Sequence, residues 1–106
     1  MMKAFFGAGF ACAIFAVGCL PAQAATVEIT IRKLSFGPGT VNAAVGDRIV
    51  WSNKDVMDHT ATLDGSFDIL IPAGGTGTLL LTKAGPIRYY CRYHPNMVGT
   101  IEVDAR

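Results

Sequence analysis

The sequence predicts an all-β fold, a Greek-key β-sandwich of two sheets with seven to eight strands, preceded by a signal peptide. Three observations carry that expectation. From Thr26 onward, short runs alternate apolar and polar residues, the period of a strand with one buried face. Gly, Pro and Asp turn signals punctuate those runs throughout. No part of this region shows a helical period, an internal repeat, a charge run or a linker.

The first run sets Val27, Ile29 and Ile31 against Glu28, Thr30 and Arg32. Its apolar parity then shifts to Leu34 and Phe36, which predicts a bulge near Arg32-Lys33. Gly37-Pro38-Gly39 breaks the chain, and Val41, Ala43 and Val45 form the next inward set. Gly46-Asp47 turns it into a strand where Ile49 and Trp51 share a face. His59, Ala61 and Leu63 share the next face, and Asp64-Gly65 supplies a tight turn. Phe67, Ile69 and Ile71 follow, then Leu79 and Leu81 after the Pro72–Gly75 loop. Gly85-Pro86 leads into Ile87, Tyr89 and Cys91 on one face, and Ile101 and Val103 close the pattern.

Residues 1–24 belong to a different grammar. Lys3 is a short positive start, Ala4 to Leu20 is an almost unbroken apolar run, and Pro21-Ala22-Gln23-Ala24 supplies an A-x-A cleavage pattern before Ala25. That is the pattern of a secretory signal peptide. It predicts a mature domain of residues 25–106, exported to the periplasm, with no stable membrane insertion after cleavage. A transmembrane anchor is the competing reading, but the run is near the lower limit for crossing a bilayer. Lipidation at Cys19 is a second alternative, weakened by Ala16 where a lipobox has leucine.

Charge and cysteine usage narrow the function. The chain carries 9 Lys+Arg against 8 Asp+Glu, and removal of Lys3 brings the balance close to zero. Binding to nucleic acid or to an anionic membrane has no electrostatic support there. Cys12 and Cys19 fall in the leader, so the mature domain keeps Cys91 alone. An unpaired cysteine in an oxidising compartment calls for burial, a partner or a metal.

Its neighbours favour the metal. The sequence Cys91-Arg92-Tyr93-His94-Pro95-Asn96-Met97 places a histidine and a methionine at successive intervals of three. The other histidine, His59, opens a strand whose Ala61 and Leu63 face inward. Each residue alone has an ordinary explanation as strand-end histidine, loop histidine or core filler. Together they form two imidazoles, a thiolate and a weak thioether, the ligand set of blue-copper electron-transfer sites. Zinc would lack a fourth Cys or His ligand, and haem attachment would need a Cys-x-x-Cys-His motif.

The segment Tyr89–Val103, with its Tyr-Cys-x-x-His-Pro-Asn-Met-x-Gly core, resembles the ligand loop of the cupredoxin (blue copper) family. Its short spacing is that of amicyanin-like members rather than of plastocyanin or azurin. The likeness runs upstream through Val45-Gly46-Asp47 and Trp51-Ser52-Asn53 to His59. The resemblance implies one type 1 copper ion at one end of the sandwich, with His59, Cys91 and His94 as strong ligands and Met97 as the axial one. It also implies buried His59 and Cys91, a His94 ring edge at the surface, and an Asn53 that ties the His59 strand to the Cys91 loop. Two departures stand out. Asp58 precedes His59 where amicyanin-like proteins carry proline, and the apolar patch of Met57, Pro95 and Val98 is interrupted by Arg92 and Asn96.

The leading expectation is therefore a monomeric periplasmic electron carrier, cycling Cu(II)/Cu(I) between a transient redox donor and acceptor. The alternative is a periplasmic copper carrier or buffer using the same residues in a more exchangeable site. An enzyme is not expected, because a further copper site would need histidines beyond His59 and His94.

Overall fold

The computed structural model describes residues 23–106. The leader expected over residues 1–24, with Cys19, lies almost wholly outside the described residues.

Nine strands follow one another: β1 (Thr26–Ile31), β2 (Phe36–Gly37), β3 (Thr40–Ala44), β4 (Arg48–Asn53), β5 (His59–Leu63), β6 (Phe67–Ile71), β7 (Thr76–Leu80), β8 (Gly85–Cys91) and β9 (His94–Asp104). They form one sheet in the order β2-β1-β4-β7 and another in the order β3-β9-β8-β5-β6. The β1/β4 and β3/β9 pairs are parallel. The remaining pairs are antiparallel. This is the expected all-β two-sheet sandwich. The count exceeds the expected seven to eight because the two-residue β2 pairs with β1.

Alternation does what period two requires. Ile29, Ile31, Ile49 and Trp51 from one sheet are 0 % exposed, as are Ala61, Ile71, Cys91 and Ile101 from the other. Burying a side chain of that size contributes about 1.5–3 kcal/mol, so these inner faces supply the main drive to close the sandwich. Tyr89 sits at its centre, edge-on to Phe36 at 4.7 Å and to Trp51 at 5.4 Å between ring centroids. Its hydroxyl accepts a hydrogen bond from Trp51 Nε1 at 3.2 Å, and burial pushes its pKa up to about 12.

The expected bulge at Arg32-Lys33 is instead a turn. Lys33 and Leu34 both lie in the left-handed region, with φ of 54° and 57°, and Arg32 N–H closes on Ser35 C=O at 3.1 Å. Non-glycine residues resist that conformation. Here the Asp55 carboxylate compensates by accepting both amides, Lys33 N–H at 2.7 Å and Leu34 N–H at 3.0 Å. The turn sends Leu34 outward, 44 % exposed, rather than into the core as its parity suggested.

At the far end, Asp47 closes the sandwich. Its buried carboxylate accepts from Ala25 N–H at 2.8 Å, Ala44 N–H at 2.9 Å and Arg106 Nη2 at 2.5 Å. The Ala25 and Ala44 amides, aided by Arg106, hold its pKa below the ordinary 3.8 despite the opposing effect of burial. A carboxyl with a depressed folded value contributes stability above its unfolded value and loses it as pH falls through the folded one. Asp47→Asn should therefore lower the denaturation midpoint at neutral pH, and the gap from the parent should narrow as pH drops below 3.8. A pH-independent gap in urea titrations would contradict this.

Candidate metal centre

The centre forms where β5, β8 and β9 meet at one end of the sandwich. His59 is the first residue of β5, Cys91 the last of β8, and His94 the first of β9. The β8/β9 ladder slips register between Tyr90 and Cys91, and its closing pair is Cys91 opposite His94. His94 is thus drawn into the sheet, not left in a loop.

Cys91 Sγ lies 3.7 Å from His59 Nδ1 and 3.9 Å from His94 Nδ1. The three donor atoms all fall within 4.8 Å of one another. Metal–nitrogen and metal–sulfur bonds of about 2.0–2.3 Å put donors at trigonal angles roughly 3.5–4 Å apart. The arrangement fits a single ion among them. His59 and Cys91 are 0 % exposed, His94 is half-buried, and the two imidazoles lie 5.3 Å apart at 57°. Met97, also buried at 4 % exposure, lines a surface cleft together with His94, Pro95, Tyr93, Asn96 and Leu34. The expected split into buried and surface histidine is present.

Asp55 orients His59. Its Oδ2 is 2.9 Å from His59 Nε2. The Leu34 and Lys33 amides and His59 hold this carboxyl below the usual carboxylate range, against the effect of burial. A carboxylate only accepts, so Nε2 carries the proton and Nδ1 presents its lone pair toward Cys91. Partners of this kind fix the tautomer and ring angle of metal-binding histidines.

Sequence reasoning missed Asp55 and assigned its neighbours differently. Asn53 does not reach the Cys91 loop. Its Nδ2 donates to Met57 C=O at 2.8 Å and Ile71 C=O at 3.0 Å, and its Oδ1 accepts from Asp55 N–H at 2.9 Å. It shapes the turn that delivers Asp55 and His59. The link to the cysteine comes from Thr60, whose N–H donates to Cys91 Sγ at 3.4 Å. Asp58 accepts from Ala73 N–H at 2.9 Å, so the carboxylate held against the centre is Asp55. The apolar surround is also wider than expected, since Leu34 and Tyr93 join the rim of the cleft.

No family model matches the chain. It is 26 % identical over 88 residues to amicyanin of Paracoccus denitrificans, covering 74 % of this chain and 65 % of that protein. It is 29 % identical over 89 residues to plastocyanin of Capsella bursa-pastoris, covering 68 % of this chain and 90 % of that protein. A methionine-to-alanine variant of amicyanin, solved as Cu(I), superposes with TM-score 0.70 at 21 % identity over 82 % of this chain and 88 % of that one. An oxidised proline-to-alanine variant gives TM-score 0.70 at 22 % identity, with the same coverage. Both curated relatives are cupredoxins, and the solved amicyanins share the fold of this chain. That likeness bears on the sandwich, and the centre stands on its own donor geometry. Among the described residues, no helix is long and apolar enough to cross a membrane.

Proposed function

We propose that this chain is a cupredoxin, an exported, periplasmic type 1 copper protein that carries single electrons between a redox donor and acceptor. The observation that carries the reading is the Cys91 thiol within 4 Å of two imidazole Nδ1 atoms at one end of the sandwich. His59, Cys91 and His94 would hold the ion, with Met97 as a weaker fourth ligand. Copper would supply the one-electron Cu(II)/Cu(I) couple. Imidazole suits the oxidised ion and soft sulfur the reduced one, so a fixed mixed set serves both with little rearrangement. His94, half-buried beside the cleft, is the ligand nearest to a partner's reach. Residues 1–24 would act as the cleaved leader.

Titration of the purified protein with Cu(II) should give an intense blue colour at one equivalent, bleached by a reductant. A colourless complex would overturn the proposal. A copper carrier would need a more exchangeable site, whereas Asp55 and Thr60 clamp this one. Slow copper loss to a chelator with fast electron self-exchange is the expected pair of results, and the opposite pair would favour the carrier.

A further inference from the structure

The outer face of the five-stranded sheet carries a polar cluster of which the electron-carrier reading uses only Thr60. Period-two alternation puts Thr60 and Thr62 on the face opposite His59 and Ala61, yet all four are buried, with Thr60 at 0 % and Thr62 at 3 % exposure. Thr62 stands directly across from Asp68 on β6 and from Tyr90 on β8. Arg92, two residues beyond Tyr90, ion-pairs with Asp68 from Nε to Oδ1 at 2.8 Å.

The hydrogen bonds close into a ring. Thr62 Oγ1 donates to Asp68 Oδ1 at 2.7 Å, because a carboxylate only accepts. Its single proton being used, Thr62 must accept from Thr60 Oγ1, 2.8 Å away. Thr60 Oγ1 in turn accepts from Arg92 N–H at 2.8 Å, and the Arg92 side chain returns to Asp68. Arg92 and Thr62 hold the Asp68 carboxyl below its ordinary range, so the acceptor at the head of the ring stays ionised. The threonine half of the ring is buried and the Arg92–Asp68 half is open to solvent; the buried bonds of such a chain polarise one another and fix their members' positions. The ring touches the centre at two points. Arg92 is the first residue after Cys91, and Thr60 N–H is the donor to Cys91 Sγ.

We propose that Thr62 and Asp68 are positioning residues for the metal centre, holding Thr60 N–H on the Cys91 sulfur and fixing the backbone where the 92–93 turn leaves β8. Neither lies among the ligands or beside them in sequence. They act only through Thr60 and Arg92. The inference depends on the copper reading for one of its two readouts only.

The test compares Thr62→Val, Thr62→Ser, Asp68→Ala and the Val/Ala double variant with the parent. In the metal-free protein, amide hydrogen exchange at Thr60 and Arg92 should speed up by about tenfold or more in Thr62→Val and return to the parent rate in Thr62→Ser. With copper added, Thr62→Val should lower copper affinity by about 10–100-fold, the usual range for partners behind the ligands. Its sulfur-to-copper absorption band should shift, and the serine variant should restore both. The double variant should be no worse than the worse single, since members of one network are not additive. Unchanged exchange in Thr62→Val, failure of serine to rescue, or strictly additive effects would overturn the inference. Asp68 is 50 % exposed at its side chain, so Asp68→Ala gives the same reading if the valine variant does not fold. Exchange needs no copper: a protein that binds none would sink the function proposed above and leave this test intact.

Discussion

Cys91→Ser is expected to abolish the blue colour while leaving the sandwich folded. The Cys91 thiolate would be the one soft anionic donor in the proposed set, and the intense visible band of a blue site arises from charge transfer out of such a thiolate. A serine hydroxyl is harder and stays protonated near neutral pH, so the variant would offer two imidazoles and a weak thioether. Copper should bind more weakly and as a pale complex. The fold should tolerate the change because serine is nearly isosteric and Thr60 N–H, now on Cys91 Sγ at 3.4 Å, remains as a donor for the new oxygen. Absorption and metal content of the two proteins, read beside their circular dichroism, decide the matter. A serine variant that kept the blue band would remove Cys91 from the ligand set.

Gly99→Ala is expected to have the largest effect on stability. Gly99 faces Tyr89 across the β8/β9 ladder, and a Cβ at this position would meet the Tyr89 Oη, Cζ and Cε1 atoms well inside contact distance. Tyr89 has nowhere to retreat. It is 1 % exposed, wedged against Phe36 and Trp51, and hydrogen-bonded to Trp51 Nε1. Overpacking of a filled core costs roughly 1–3 kcal/mol, and each kcal/mol moves Tm by about 4–8 °C in a domain of this size. Thermal unfolding of the metal-free protein tests this without any contribution from bound copper. A Tm within one degree or so of the parent would show that the ring shifts freely, contrary to the packing described.

Much of this was legible in sequence because burial on one face of a strand leaves a period-two trace. Ile29, Ile49, Trp51, Tyr89, Cys91 and Ile101 all lie inward as the alternation requires. The grouping of His59, Cys91 and His94 was legible for a different reason: few residue types bind a soft metal, and they were scarce enough to be conspicuous. What stayed hidden depends on where separate segments meet. Asp55 looks like any turn acid until the Lys33-Leu34 turn is found to need its oxygens. The single available hint was its spacing of four from His59. Thr60 and Thr62 read as the solvent side of a strand, and nothing local announces that Arg92 and Asp68 will cover them. Leu34 followed the wrong parity because two left-handed residues reset the chain.

The Asp47 cluster has a consequence for how this molecule can be attached to anything else. It gathers Ala25 and Arg106 at one pole, while His59 and His94 open their strands at the other. The 11 residues of β9 run from one pole to the other, roughly 30 Å at strand rise. A tether, tag or neighbouring domain joined at either Ala25 or Arg106 would therefore leave the His94 pole facing away from it. The protein can be leashed by its tail and still keep its opposite pole free.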